Sequence, residues 1–475
     1  MERPSPSNTH TTMLGRLATK LDAEFSQTIA SIVNDFSNNF DQAFEDYVLS
    51  DPSDPKSKAI DHYTTREFLR SKNNINPRAW SYDEIQDVEM LETSTGLFDQ
   101  AFSETIIDYC DFAATKTTPP KPWIRLEGGM AVLTDHMRDS VIGQGAPKIT
   151  GPGANLQLNT AVTSMQDNGE TISVTTLGTT TSQSSSKNYA TVFNSTALAC
   201  LERMDLSGLK LDDDTLTMIR CLSYDRASKV AIKFSKNWWT PLLKTKSGGS
   251  YVYGGVSSSD LPISNVVYPS WNDGDEQDTV LMISYAWAQD ATRMGALIPD
   301  YSDQNPPQKT DQVVTLCLQN LAKLWENTSG APSFDQLLGM YVSHHAFAWS
   351  HDPYTGGAFA LFGPSQFRNC YPKFAQTYCN GKFNICGEAT SAHHAWISGA
   401  LDSAYVTVMT WLSYLHLDQQ KSVLKASPLG NGQDLHPWEM DEHLVQAAAD
   451  LSAGGKLTTG GGLKDQSGQN GVLRH

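Results

Sequence analysis

The chain has 475 residues, of which 39% are hydrophobic and 18% charged, as in folded globular proteins rather than disordered or collagen-like chains. It carries 35 Lys and Arg residues against 52 Asp and Glu residues, a formal net charge of −17 at pH 7. Because nucleic acids and anionic membranes attract basic surfaces, this balance argues against either as the main partner. A chain of this length is expected to form two or three domains.

Targeting and membrane signals are not evident in the sequence. The first residues lack the apolar core of about 7–15 residues that marks a secretory signal, and no stretch reaches the about 18 uncharged apolar residues that cross a bilayer. The seven cysteines are scattered and form no CxxC pair, which excludes zinc-ribbon and thioredoxin-type sites. We therefore expect an intracellular protein with reduced thiols, although a processed secreted protein stays open.

The spacing of apolar residues divides the chain into a helical part and a mixed part. In residues 1–120 it predicts helices over Ala23–Tyr47 and Phe98–Phe112. From Trp123 onward short β-branched runs predict strands, and the polar run Thr179–Lys187 is predicted to separate two of them. The predicted strands are Asn155–Val162, Thr171–Leu177, Tyr189–Asn194, Lys229–Phe234, Ser250–Gly254, Thr279–Tyr285, Ala358–Phe362 and Phe383–Cys386.

Three further helices complete the pattern, over Asp212–Cys221, Gln312–Trp325 and Ala395–Leu415. Helices, then mixed strands, then a strand–glycine–helix unit favour α/β and α+β parts in more than one domain. The tail 446–475 is rich in Gly, Ser and Thr and is expected to be disordered.

Short motifs of several common enzyme classes are missing from the sequence. It contains no GxxxxGK[ST], HExxH or GxSxG motif and no EF-hand loop. His436, Glu439 and His443 lie close together without the spacing of a metal site, so no metal is expected. The GxG pieces at 143–145 and 151–153 lack a third glycine and follow no clear strand, which favours loops.

The most informative segment runs from Phe383 to Ala404. Its strand ends at Gly387, where a ligand can approach the backbone closely, and Glu388 then offers a carboxylate that accepts hydrogen bonds from hydroxyl groups. Trp396 and Ile397 open a helix whose free N–H groups and positive dipole end favour an anionic group. This order suits a cofactor with sugar hydroxyls and a developing negative charge. The alternative is an ordinary strand–turn–helix.

This segment resembles the C-terminal flavin motif of the FAD-dependent amine oxidase family, most closely that of its L-amino-acid oxidase branch. The resemblance implies that Gly387 lets the backbone approach FAD and that Glu388 holds the ribityl or ribose hydroxyls. It also implies that the N–H groups of Trp396 and Ile397 face the N1–C2=O edge of the isoalloxazine. The implied fold joins a glutathione-reductase-like FAD-binding domain to a mixed-sheet substrate domain.

Other segments resemble the family in the same order, over roughly residues 90–415. The stretch Glu127–Met130 is similar to the segment that returns the chain to the FAD domain, and Val162 to a residue whose backbone contacts adenine. Lys229 matches the lysine that holds a water near flavin N5; alone it would be interpreted as a surface lysine. The resemblance thus implies that Lys229 and Trp396 are catalytic. The further cofactor-binding residues that it implies are Glu127, Gly128, Gly129, Val162 and Lys229.

The resemblance also implies a substrate site. Tyr285 resembles the tyrosine that binds a substrate carboxylate, although its apolar strand alone suggests a core tyrosine. Phe359 and Trp396 correspond to aromatic walls around the amine, and Ala358 stands where monoamine oxidases carry a flavin-linking cysteine, so the FAD is expected to be noncovalent. The family's chemistry needs no histidine base, so His393 and His394 are interpreted as structural or pocket-lining.

The sequence departs from the family in its first part. It lacks the strand–GxGxxG–helix for the FAD pyrophosphate, the acidic residue that grips the adenine ribose, and the Gly-x-Met-Arg segment with the substrate-binding arginine. It therefore resembles an amine oxidase truncated at the N-terminus. The implied domains are a helical region over 1–120, an incomplete FAD-binding domain over 121–215 and 371–420, and a substrate-binding domain over 216–370.

Three functions follow from these observations. The first is oxidative deamination of an L-amino acid by FAD, giving an imino acid and then a 2-oxo acid, ammonia and hydrogen peroxide. The second is oxidation of amines or polyamines without a carboxylate. The third is a non-catalytic remnant that cannot hold FAD alone. The expected partners are a small amino acid or amine and O2, with a homo-oligomer or a second chain supplying the missing nucleotide-binding half left open.

Overall fold

The computed structural model describes residues 13–92, 94–112, 126–142, 156–246, 254–270 and 278–427. The α-helices in these ranges are α1 Met13–Asn38, α2 Phe40–Ala43, α3 Thr65–Arg70, α4 Tyr82–Glu92, α5 Phe102–Phe112, α6 Ala131–Ile142, α7 Leu198–Leu201, α8 Asp213–Cys221, α9 Trp239–Lys246, α10 Ala288–Gly295, α11 Gln312–Trp325, α12 Phe334–Met340, α13 Gln366–Phe374, α14 Ile397–Tyr414 and α15 Asp418–Lys425. A π-helix over Phe44–Leu49 follows α2, and short 3₁₀ turns cover Leu97–Asp99, Trp349–His351 and Glu388–Thr390.

The strands form three sheets. Their bounds are β1 Thr160–Asp167, β2 Ile172–Gly178, β3 Ser184–Tyr189, β4 Val192–Asn194, β5 Asp205–Gly208, β6 Ala227–Phe234, β7 Val256–Ser258, β8 Asn265–Val267, β9 Thr279–Trp287, β10 Tyr341–Ala348, β11 Thr377–Tyr378 and β12 Phe383–Ile385. The sheets have the orders β3-β2-β1-β5, β10-β6-β9-β8-β7 and β11-β12-β4. The five-stranded sheet is antiparallel, whereas β12 pairs with β4 in parallel. The mixed helix-and-sheet class predicted from the sequence is confirmed.

The first hydrophobic core joins the N-terminal helices to two of the sheets. One face of α1 buries Phe25, Ile29, Ile32 and Phe36, spaced as one stripe of an amphipathic helix. These side chains share a core with residues of β2 and β12. The helical region therefore stabilises the turn that follows β12.

The second core lies on one face of the five-stranded sheet. Alternate residues of β6, Val230, Ile232 and Phe234, are buried and pack in the same core as α11 and α12. Lys229, between them in sequence, is only half-buried and points to the opposite face of the sheet. That opposite face is the one available to a ligand.

Several predicted elements differ from the structure. The polar run Thr179–Lys187 was predicted to separate strands, but its second half belongs to β3, which pairs along β2. The strand predicted over Asn155–Val162 begins only at Thr160. Ala358–Phe362 is not a strand but makes one isolated bridge, Tyr224 to Ala360. The predicted disordered tail, both GxG loops, residues 250–253 and the three residues His436, Glu439 and His443 lie outside the described residues.

No helix in the part of the chain that the structure describes has the length and apolar character needed to cross a bilayer.

Candidate functional site

A glycine turn follows the parallel strand pair β4 and β12. Cys386 extends the pairing, since its N–H donates to the carbonyl of Asn194 at 2.9 Å. Gly387 then has φ +134°, a conformation that L side chains rarely adopt, and its N–H donates to Ser403 Oγ at 3.1 Å. In open α/β sheets ligands bind just beyond the carboxyl ends of parallel strands, which is where this turn lies.

A cavity of about 160 Å³ opens at this turn. Its walls include the hydroxyl residues Ser195 and Thr355 together with Ala358, Gly387 and Glu388. Sites that enclose a whole drug-sized ligand measure about 300 Å³ or more, so this cavity has room for only part of a dinucleotide. The hydroxyl groups and the carboxylate suit a polyhydroxylated part.

The Glu388 carboxylate already binds two backbone N–H groups. Ala360 donates to Oε1 at 2.9 Å and Ala395 donates to Oε2 at 3.1 Å. Each carboxylate oxygen has a second lone pair and can accept a further hydrogen bond from a ligand hydroxyl. Burial raises the pKa of Glu388, while the His394 imidazole and these two N–H groups oppose the rise.

The N-terminal end of α14 lies in the same segment. Trp396 is its N-cap residue, and no side chain in the described ranges caps this end, which leaves the first helical N–H groups for another acceptor. Gly399 lets the turn fold back on the helix: a Cβ there would collide with the carbonyl oxygen of His393 and come within 2.5 Å of Ser391 Oγ. The Trp396 ring packs at 5.2 Å from that of Phe112, and Ile397 is exposed.

The open face of the five-stranded sheet carries a lysine between two aromatic residues. Lys229 on β6 pairs in register with Tyr285 on β9 and with Phe347 on β10. Its Nζ lies 4.7 Å from the centroid of the Tyr285 ring. Burial lowers the pKa of Lys229, and within the described part of the chain no carboxylate forms an ion pair with it. This cation can therefore bind a further polar group or water.

A row of aromatic rings runs from this lysine to Phe359. The rings of Tyr285 and Trp287 are 5.2 Å apart and nearly perpendicular, and those of Trp287 and Phe359 are 6.0 Å apart. Phe359 follows Ala358, which lines the cavity. Burial raises the pKa of the Tyr285 hydroxyl, so this group stays protonated and can donate a hydrogen bond.

Not every residue of the predicted site lies here. Glu127, Gly128 and Gly129 form an exposed turn before α6, in which both glycines have φ +86°. Val162 lies on β1 and packs partly against the first core. Of all the predicted site residues, only Ala358, Gly387 and Glu388 line the cavity.

Three residues that sequence reasoning did not assign also contribute. Trp287 lies two positions after Tyr285 on the same face of β9, a period that could have identified it. Tyr224 lines the cavity and accepts a hydrogen bond from the Leu198 N–H at 3.0 Å. Asp225 exchanges backbone hydrogen bonds with Ala358 and Phe359, and burial raises its pKa to about 6. No sequence pattern marks Tyr224 or Asp225.

The two histidines before Trp396 are buried against helix α5. His393 Nδ1 lies 2.8 Å from Asp111 Oδ1, and His394 Nδ1 lies 2.9 Å from Glu104 Oε1. The Glu104 contact is made at the residue next to Ala395, whereas the Asp111 contact is made one residue further from the start of α14.

Comparison with known proteins identifies the class to which this geometry belongs. The model of the flavin-containing amine oxidoreductase family matches residues 14–408, so the chain belongs to that family. FAD is the cofactor that this membership implies, and the residues at the Gly387 turn and the α14 end have the chemistry to hold part of it.

Three relatives show which members of the family the chain is similar to. The chain is 33% identical over 393 residues to a protein of Dictyostelium discoideum provisionally named a bifunctional amine oxidase, covering 82% of this chain and 33% of that protein. It is 32% identical over 400 residues to L-amino-acid oxidase 4 of Hebeloma cylindrosporum, covering 81% of this chain and 60% of the relative. An L-amino-acid oxidase of Bothrops jararacussu is 24% identical over 347 residues, with 72% and 59% covered. The chain thus spans from one third to three fifths of the length of these relatives.

Proposed function

We propose that the chain takes part in the oxidative deamination of an L-amino acid by noncovalent FAD. The overall reaction converts the amino acid, O2 and water into a 2-oxo acid, ammonia and hydrogen peroxide, with an imino acid that hydrolyses after release. Relatives named L-amino-acid oxidases support this choice of substrate. When bound, FAD supplies the two-electron acceptor for oxidation of the carbon–nitrogen bond.

The observation that carries the proposal is the aromatic row that runs from Lys229 to Phe359, the residue next to Ala358 in the cavity wall. The Ala395 N–H joins the approach to α14 to Glu388 in the cavity wall, and the aromatic row joins Phe359 to a phenol and a half-buried cation without a described carboxylate partner. An ordinary strand–turn–helix gives no reason for these groups to converge.

Four residues would hold FAD next to the cavity. Gly387 allows close approach of the backbone, and Glu388 retains lone pairs for sugar hydroxyls. The first N–H groups of α14, at Trp396 and Ile397, lie at the positive end of the helix dipole and would stabilise a developing negative charge. Glu127, Gly128, Gly129 and Val162 are proposed for parts of the cofactor more distant from the cavity.

The residues proposed to bind the substrate lie on the open face of the sheet and among the aromatic side chains. Tyr285 donates its hydroxyl proton in a hydrogen bond to the substrate carboxylate, which favours amino acids over simple amines. Phe359 and Trp396 line the space around the amine and exclude water, and Ala358 leaves space beside them. Lys229 holds a water, and its lowered pKa lets the ε-amino group exchange a proton with that water.

The test begins with the purified chain and added FAD. Peroxide release is measured with a panel of L-amino acids, their D-enantiomers, and amines and polyamines. The proposal expects peroxide with L-amino acids; a preference for amines would support the second oxidase class, and no peroxide from either would contradict both.

A matched pair of tyrosine variants tests the assignment of the carboxylate. Tyr285→Phe is expected to raise the KM for L-amino acids about tenfold, the usual effect of losing a hydrogen bond to a charged group. Tyr354→Phe removes the same hydroxyl from an exposed tyrosine and should change nothing. Equal KM values for the two variants would overturn the role of Tyr285.

A further inference from the structure

Two carboxylates hold the same pair of backbone segments together. Glu388 accepts N–H groups from Ala360 and Ala395. Two residues along the first segment and one residue back along the second, Glu104 Oε2 accepts the N–H of Phe362 at 2.8 Å and lies 3.0 Å from Nδ1 of His394. The segment that lines the cavity and the segment that leads to Trp396 are thus joined twice.

The second of these two carboxylates, Glu104, belongs to the helical region. Glu104 lies in the first turn of α5 and is buried, and the N–H of Ala101 donates to the Phe362 carbonyl at 2.9 Å just before that helix. The start of the α5 segment therefore holds Phe362 through the Ala101 N–H and the Glu104 carboxylate, and the same carboxylate holds the approach to α14 through His394. A carboxylate that is buried in this way needs the cation or donors it contacts, because an unpaired buried charge is costly.

His394 is enclosed on every side. Its ring stacks on Phe367 at 5.2 Å and lies 4.2 Å from the ring of Phe362. The charged groups that act on it are Glu104, which contacts its ring, and Glu388. Burial alone would lower the pKa of His394, but these two carboxylates and the Ala389 backbone carbonyl raise it, so the imidazolium is the favoured form opposite Glu104.

The turn that this pair holds is strained. Ala395 has φ +67°, a left-handed conformation that persists in a residue other than glycine only when its surroundings fix it. Trp396, the N-cap residue of α14, follows immediately. The position of the proposed flavin-facing N–H groups thus depends on the contacts made at residues 394 and 395.

We propose that Glu104 and His394 act as positioning residues: their ion pair holds the turn 394–396 so that Trp396 and the start of α14 face the cavity. This inference rests on the proposed function for the role of that helix end. Neither residue needs to touch the substrate, because both act through the backbone of the turn.

The experiment combines amide hydrogen exchange with FAD titration of the full chain. Glu104→Gln keeps the shape of the side chain and removes its charge. The control is Asp111→Asn, which neutralises the carboxylate of the neighbouring His393 pair on the same helix. Glu104→Gln should speed exchange of the Phe362 and Ala395 amides and weaken FAD binding about tenfold, whereas Asp111→Asn should change neither.

The pH profile separates positioning from a merely structural role. As pH rises through the raised pKa of His394, the imidazolium loses its charge, so the turn should loosen and FAD affinity should fall. This fall in FAD affinity with rising pH is the alkaline limb of the profile. In Glu104→Gln the alkaline limb should move to lower pH, because the negative charge that stabilises the imidazolium is gone. His394→Asn keeps a hydrogen-bond donor near the Nδ1 position, so it should retain the fold and lose the alkaline limb. If Glu104→Gln does not fold, His394→Asn decides whether the ion pair positions the turn.

The outcomes distinguish this inference from the proposed function. Failure of the wild-type chain to bind FAD would overturn the proposed function, while amide exchange would still decide whether the pair holds the turn. Equal exchange in Glu104→Gln and Asp111→Asn, or an alkaline limb that stays in place in Glu104→Gln and His394→Asn, would overturn the positioning role.

Discussion

Replacement of Gly399 by alanine tests the close packing at the start of α14. A Cβ at this position would overlap the carbonyl oxygen of His393 and lie 2.5 Å from Ser391 Oγ, and a backbone carbonyl cannot rotate away as a side chain can. Overpacking of this kind costs about 1–3 kcal/mol, and the backbone contact puts it near the upper end. Alanine regains about 1 kcal/mol of helix propensity, so we expect a net loss of about 2 kcal/mol.

Gly339 provides the matched control for this variant. It lies in helix α12, and a Cβ there would meet nothing within 4 Å. Gly339→Ala should therefore raise the free energy of unfolding by up to about 1 kcal/mol, and the two variants should differ by about 3 kcal/mol. Urea denaturation followed by circular dichroism measures both. Equal stability of the two variants would refute the packing described for the α14 end.

Three further substitutions test other parts of the structure. Burial raises the pKa of Asp61 from 3.8 to about 6, so folding favours its protonated form; stability should fall as pH rises from about 4 to about 6, and Asp61→Asn should flatten that part of the profile. Lys229→Met should keep or raise the unfolding free energy yet slow peroxide release by about 100-fold or more, and an unchanged rate would exclude the lysine from the reaction. Phe234→Ala should cost about 3–5 kcal/mol because its ring is fully buried in the second core; a loss below about 1 kcal/mol would contradict that packing.

Elements with strong periodicity could be predicted from the sequence. Helix Gln312–Trp325 has the predicted bounds, and Phe383–Ile385 and Ile397–Tyr414 lie within about two residues of the predicted strand and helix. In each, the apolar pattern and the actual burial agree, since local spacing and tertiary packing favour the same structure.

Elements that depend on distant partners could not be predicted. Strand β3 has exposed polar side chains throughout and forms because its backbone pairs with β2. Ala358–Phe362 has the composition of a strand, but Glu388 and Glu104 accept two of its N–H groups, from residues 28 and 258 positions away in sequence. Side-chain to backbone bonds over such separations leave no local pattern.

The same limit applies to the site. The residues at the Gly387 turn could be proposed because their spacing within one segment suggests a ligand. The ion pair between Glu104 and His394 could not be proposed from the sequence, because it links α5 to a residue 290 positions later. The row that joins Lys229 to Phe359 also depends on which strands are neighbours in the sheet, which the sequence does not state.

Binding of FAD at the Gly387 turn is the central claim, and a fluorescence titration of FAD with the purified chain tests it most directly. We expect saturable binding by the wild-type chain and by Gly339→Ala, and its loss in Gly387→Val, whose side chain would be strained at φ +134° and would enter the cavity. No binding by the wild-type chain, or equal binding by Gly387→Val, would contradict the claim.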